Sequence, residues 1–192
     1  DPKDLAAYPE TLEADLQMAQ DAGVDAVLLP TYAQIYADDF RFQLNETKAS
    51  NGLCGADRPG HFTGVLTVVM KLLNIVRPQQ AYFGLKDYQQ YQLIKDMSAA
   101  FFLPVDIVGC EPVRDADGLA LSSRNQLLDA CARRKAGCFN VILRNAVDDE
   151  TAIRELQNLG AQVDYVETTG GRRFGAIVLP THSGEVRLID NL

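Results

Sequence analysis

Val65, Val68, Val69, Leu72, Leu73 and Val76 fall at i, i+3, i+4, i+7, i+8 and i+11, one apolar stripe at helical period. Pro78 stops that helix, because it has no N–H to give and its ring crowds the preceding turn. The pattern beyond it predicts a short strand in "AYFG", a helix over "DYQQYQLIKDMSAAF" and a strand in "VDIVGC". Strand–helix–strand in this order specifies a parallel sheet, since parallel neighbours need a crossover long enough to hold a helix. Upstream, "LEADLQMAQDA" (12–22) reads as a helix ended by Gly23, and "VDAVLL" as a buried strand stopped by Pro30. Residues 31–60 read as irregular, with a hairpin around "FRFQLNETKAS".

After Cys110 the pattern changes. "EPVRDADGLAL" reads as an extended segment turning at Asp117-Gly118, with a helical tract from about Ser123. "QVDYVET", "GAIVL" and "EVRLID" alternate as strands. The expected fold class is α/β: a Rossmann-like parallel sheet over residues 1–110, then a small α+β domain with an antiparallel sheet over 111–192. With 47% hydrophobic residues the chain can bury a real core. Its net charge of -8 argues against sequence-independent nucleic-acid binding, which needs a basic stripe. A local cluster of cations can still hold an anionic small molecule. The four cysteines form no C-x-x-C pair, so zinc is not expected and reduced thiols of a cytoplasmic protein are. No apolar run is long enough to span a bilayer and no signal peptide opens the chain. The opening "DPKDLAAYPE" has no initiator Met, and residues upstream of it are expected.

Ligands of parallel α/β sheets sit where strands run into helices, which singles out "GLKDYQQ". Gly84 lets backbone approach a ligand closely. Lys86 precedes a helix N-terminus, where free N–H groups and the dipole favour an anion such as phosphate. Asp87 and Gln90 also have the spacing of a capping box, and spacing alone favours that structural role. "SSRNQ" has the same ambiguity. Ser123 and Gln126 fit a capping box, while Ser122, Ser123 and Arg124 fit a polyphosphate clamp of hydroxyls and a guanidinium fork. No G-x-S-x-G elbow surrounds the serines, so nucleophilic catalysis is not expected. Arg58 and His61 in "DRPGHF" suit either a carboxylate ligand or a turn. Asp115 and Asp117 read as an Asp-Gly turn rather than a calcium loop, and Tyr82, Tyr88 and Tyr91 as packing residues.

Taken together, "RPGHFTGVLTVVMKLLNIVRP", "YFGLKDYQQ", "VGCEPVRDADGLALSSRN" and "RLIDN" occur in the order and at the intervals of the pantothenate synthetase (pantoate–β-alanine ligase) family, which the chain closely resembles. "DLAAYPETLEADL" is similar to another part of that family. The resemblance implies an ATP-dependent ligase making a coenzyme A precursor. Pantoate carboxylate attacks the α-phosphorus of ATP with Mg2+, and the amine of β-alanine then displaces AMP from the pantoyl adenylate. It implies an ATP site at Gly84, Leu85, Lys86, Asp87, Val113, Leu121, Ser122, Ser123 and Arg124. Lys86, Ser122, Ser123 and Arg124 would act on the phosphates, and Gln90 would hold pantoate. A homodimer with neither nucleic-acid nor membrane partners is implied as well. Two departures stand out. Leu85 replaces the family's usual Glu, and neither H-x-G-H nor N-P-x-Q-F occurs. The 192 residues alone are therefore expected to be inactive as a ligase. The rival reading is a non-catalytic nucleotide-binding or dimerisation module descended from the enzyme.

Overall fold

The computed structural model describes residues 11–192, so residues 4–10 of "DLAAYPETLEADL" lie outside the described residues. The described residues 11–41 fall in one compact unit and residues 42–192 in another. In the first, helix α1 (Leu12–Asp21) ends as the sequence predicts, with Gly23 at φ +77° and its N–H bonded to Gln20 O at 3.0 Å. Helix α2 (Tyr32–Ile35) is closed by a true capping box. Gln34 N–H donates to Thr31 Oγ1 at 3.3 Å and Thr31 N–H to Gln34 Oε1 at 2.8 Å. The expected strand at 24–29 is absent, and Val27, Leu28 and Leu29 are exposed. A strand needs a neighbour to complete its hydrogen-bond ladder, and no described residue pairs with this run.

The hairpin expected at 40–50 is also absent. The Glu46 carboxylate accepts from the amides of Lys48 and Ser50 at 2.9 and 2.7 Å, which turns the chain locally instead of leaving those donors for a partner strand. A 3-10 turn (Ala49–Asn51) and the short helix α3 (Cys54–Asp57) follow.

Helix α4 (His61–Val76) starts after Gly60 at φ +79° and ends at Arg77, whose N–H bonds Leu73 O, just before Pro78. Its buried face is rotated from the expected stripe. Phe62, Leu66 and Leu73 are deepest, Val65 and Val69 flank them, and Val76 is exposed. The helix is apolar on most of its circumference, so periodicity identified the helix better than its inner face. Strand β1 (Gln80–Gly84) pairs in parallel with β2 (Asp106–Cys110), Gly84 opposite Cys110. A 3-10 turn (Leu85–Asp87) and helix α5 (Tyr88–Ala100) make the crossover. Leu93, Ile94, Met97 and Ile107 complete this core.

Arg114 bridges Ala120 across the turn at Asp117-Gly118, as expected, with Gly118 at φ +88°. Arg133 holds Asp115 at 2.8 Å and pairs with Asp117, so these acids fasten the turn to a helix. Helices α6 (Ala130–Asn145) and α7 (Asp149–Asn158) pack on an antiparallel sheet of β3 (Gln162–Thr169), β4 (Arg172–Thr181) and β5 (Gly184–Asn191). Phe139, Leu143, Leu156, Ile177 and Leu179 are fully buried there. Truncating Phe139 to Ala would cost about 3–5 kcal/mol.

Candidate active site

Cations gather in an open cleft, although the chain is acidic. Arg58, Lys86, Arg124 and Arg187 line it, with His61 beside them. The start of α5 supplies Lys86, Asp87, Tyr88, Gln89 and Gln90. The 3-10 turn Ser123–Leu127 and its N-cap supply Ser122 and Arg124, and α3 and the start of α4 supply Cys54 and the Arg58–His61 pair. The ends of β4 and β5 close the wall with Phe174, Arg187 and the pair Asp190–Asn191.

Neither expected capping box forms. Asp87 occupies the N-cap position of α5, yet its side chain makes no cap hydrogen bond. Its backbone (φ -95°, ψ 55°) departs from the extended geometry that aims a side chain at the following amides. At the second turn the cap lies one residue earlier than expected. Ser122, not Ser123, accepts from Arg124 N–H, at 3.3 Å. Ser123 is exposed and does not line the cleft.

The structure thus brings together Lys86, Asp87, Gln90, Ser122 and Arg124. It does not place Gly84, Leu85, Val113, Leu121 or Ser123 on the cleft wall. Val113 and Leu121 are 69% and 51% exposed. They stand in register on the two arms of the Asp117-Gly118 turn, Leu121 N–H donating to Val113 O at 2.9 Å. Leu85 packs on the sheet: a Cβ on Gly109 would come within 2.6 Å of its Cδ2.

Arg58 Nη1 donates to His61 Nε2 at 3.2 Å, which puts the imidazole proton on Nδ1. Burial first, then the Arg58 charge, push the His61 pKa down from 6.5 to about 4, so the ring is neutral at pH 7. Of the three tyrosines expected to pack, Tyr82 is exposed. Tyr88 packs near Phe174, and the Arg172 guanidinium lies over its ring at 4.3 Å from the centroid.

Several lining residues gave no signal as isolated sequence. A bulge between Val163 and Tyr165 sets Asp164 and Tyr165 against the same cluster. Asp164 accepts from Arg187 Nε at 2.7 Å, and Tyr165 Oη lies 3.1 Å from Cys54 Sγ. Burial foremost, then the neighbouring Cys54, drive the Tyr165 pKa up, so the phenol keeps its proton. Burial opposes the charge of Arg187, but the Asp164 hydrogen bond, then the neighbouring Cys54 and the Asp164 charge, hold the guanidinium pKa above its ordinary value. Asp57 also pairs with Arg187, at 3.0 Å. Only the alternation of β5 could have marked Arg187 as facing away from the Val186/Leu188 core.

The family model of pantoate-beta-alanine ligase matches residues 1–192. The pantothenate synthetase of Bdellovibrio bacteriovorus is 48% identical over 192 residues, covering 100% of this chain and 75% of that one. The pantothenate synthetase of Legionella pneumophila is 44% identical over 190 residues, covering 99% of this chain and 74% of the relative. Among solved structures, pantoate-beta-alanine ligase of Francisella tularensis, complexed with beta-gamma ATP and beta-alanine, superposes with a TM-score of 0.90 at 37% identity. That match covers 100% of this chain and 73% of the other. The pantothenate synthetase of Thermus thermophilus gives a TM-score of 0.86 at 35% identity, over 97% and 75% of the two chains.

Proposed function

The chain belongs to the pantoate-beta-alanine ligase family, and on that footing we propose that its protein condenses pantoate with β-alanine, converting ATP to AMP and pyrophosphate. The observation that carries this reading is the cleft itself, where two helical starts bring Lys86, Asp87 and Gln90 together with Ser122 and Arg124. Pantoate carboxylate is already ionised at neutral pH, so its attack on the α-phosphorus needs no base. Negative charge then spreads over the equatorial oxygens and the leaving pyrophosphate. Lys86 and Arg124 meet that charge with fixed cations, and the Ser122 hydroxyl adds a short hydrogen bond, with Ser123 joining only if its turn closes over the phosphates. Asp87, whose side chain makes no cap bond, is assigned to the ribose. Gln90 holds pantoate, and Gly84, Leu85, Val113 and Leu121 support the nucleotide through backbone at its edge. In the second step the amine of β-alanine attacks the acyl adenylate, and holding both in one cleft supplies most of the rate. Arg58, beside the neutral His61, suits a substrate carboxylate.

Among the described residues no three His, Cys, Asp or Glu side chains gather to hold a metal. Mg2+ prefers substrate phosphates with at most one or two protein carboxylates, so this donor set fits an ion that arrives on ATP, held by its phosphates. There it would neutralise phosphate charge. No described helix is long and apolar enough to cross a membrane. A cytoplasmic homodimer goes with the same reading, as does a domain division near residue 110, which the two separate cores support. Sedimentation as a monomer would remove the dimer.

The test of the reaction is product analysis and pantoate-dependent exchange of pyrophosphate into ATP. AMP and pyrophosphate are expected. ADP and phosphate would overturn the adenylate route. His61 offers an independent check by NMR titration. Its pKa of about 4 should rise when pantoate or β-alanine brings a carboxylate beside it.

A further inference from the structure

The turn that carries Lys86 is only three residues long, Leu85–Asp87, and its one acidic side chain gives it no cap bond. Something else must fix it. On the sheet side Leu85 packs over Gly109. On the other side stands Asn191, the last residue of β5 and 3% exposed. Both hydrogens of its carboxamide are committed to the turn, Nδ2 donating to Leu85 O at 2.9 Å and to Lys86 O at 2.8 Å. Its Oδ1 accepts from Arg172 Nη1, which orients the amide and leaves no ambiguity about which end faces the turn.

The strand end is itself immobilised. Asp190, also 3% exposed, accepts two bonds from Arg114, at 2.6 and 2.8 Å, one from Asn140 Nδ2 at 3.0 Å and one from Asn191 N–H at 2.8 Å. Arg114 lies on the arm that bridges Ala120, ahead of Ser122 and Arg124. Two adjacent residues of one strand therefore fasten the Leu85–Asp87 turn, through Asn191, and the hairpin whose arm leads to Ser122, through Asp190 and Arg114.

We propose that Asn191 is a positioning residue for Lys86. Its carboxamide holds the Leu85–Asp87 turn where the Lys86 ammonium meets the phosphates in the adenylation step. The proposal rests on the reading of Lys86 given above. An amide is required because both contacts are donations to carbonyl oxygens. A carboxylate of the same shape can only accept, and would face those two oxygens with a repelling charge.

The test is a double-mutant cycle in the intact protein, read as pantoate-dependent ATP–pyrophosphate exchange. Asn191→Asp should slow exchange about a hundredfold in the wild-type background, the size of effect that follows a misplacement of roughly 1 Å. In a Lys86→Ala background the same substitution should change the rate by less than about threefold, because the group it positions is gone. A residue that merely stabilises the fold would retain its full factor in both backgrounds. Should Asn191→Asp fail to fold by circular dichroism, Asn191→Ser, which removes the paired donors without adding a charge, carries the same cycle. If Lys86→Ala slows exchange and the Asn191 factor persists beside it, this proposal is overturned while the reading of Lys86 stands. If Lys86→Ala leaves exchange untouched, the reading of Lys86 fails and the proposal falls with it.

Discussion

Helices α6 and α7 begin differently from α4 and α5. Asp129 opens α6 by accepting from the amides of Cys131 and Ala132, both at 2.9 Å, and Asp148 opens α7 by accepting from Thr151 N–H at 2.7 Å. Helix α4 opens on Gly60, with no side chain to offer, and α5 on Asp87, whose carboxylate makes no cap bond. The starts of α4 and α5 are the ones that reach the cleft, through His61 and Tyr88. A capped start satisfies orphan amides with the protein's own oxygen and serves stability. An uncapped start leaves those amides and the positive end of the dipole for an anion. The same residue type at the same position thus caps its helix in one region and leaves it uncapped in the other.

That contrast can be broken at several points. The largest effect is expected from Lys86→Ala, which should slow single-turnover adenylation by about a hundredfold or more while the melting temperature barely moves. A wild-type rate would remove the phosphate role. Asp87→Ala comes next. The ATP KM should rise about tenfold with stability held to within about 0.5 kcal/mol, as for an ordinary surface change. A large fall in melting temperature would mean that Asp87 caps its helix after all. Asp129→Ala should behave in the opposite sense, lowering Tm by about 2–4 °C and leaving exchange kinetics alone.

The smallest effect concerns pH. The Ala132 amide foremost, then that of His182, hold the Asp129 pKa down from 3.8 to about 2. A carboxylate lowered in the folded state stabilises above its unfolded pKa and loses that contribution as pH falls towards the folded value. The Tm gap between wild type and Asp129→Ala should therefore be full above about pH 4 and narrow towards pH 2. His61 works in the same direction at higher pH. Its contribution is complete above 6.5 and lost as pH falls towards 4, where the folded ring finally takes a proton. A gap that widened with acid would contradict the hydrogen bonds seen at Asp129.

The three motifs with capping spacing show where sequence reasoning stops. Thr31-x-x-Gln34, Asp87-x-x-Gln90 and Ser123-x-x-Gln126 look alike as strings, and only the first forms a box. The box needs an extended N-cap, and that backbone angle is set by what the turn is attached to. At Asp87 the attachments are Leu85 on Gly109 and Asn191 on two carbonyls, the second of which lies about a hundred residues away in the chain. The strand expected at 24–29 fails for a related reason: a strand is a property of a pair, and its own residues cannot supply the partner.

By itself the sequence determined what local chemistry can determine. Apolar period and proline or glycine stops gave α4, α5, β1, β2 and the three C-terminal strands, and four quoted motifs gave the family. Its motifs also singled out Lys86, Asp87, Gln90, Ser122 and Arg124, which the fold brings to one cleft. Tertiary structure alone decided the rest. It chose which side of α4 is buried, brought Asp164 and Tyr165 to one cluster through a bulge, and set Arg187 and Asn191 against residues from the other end of the chain. Those outcomes are fixed by contacts between residues distant in sequence, and such contacts have no period or spacing to announce them.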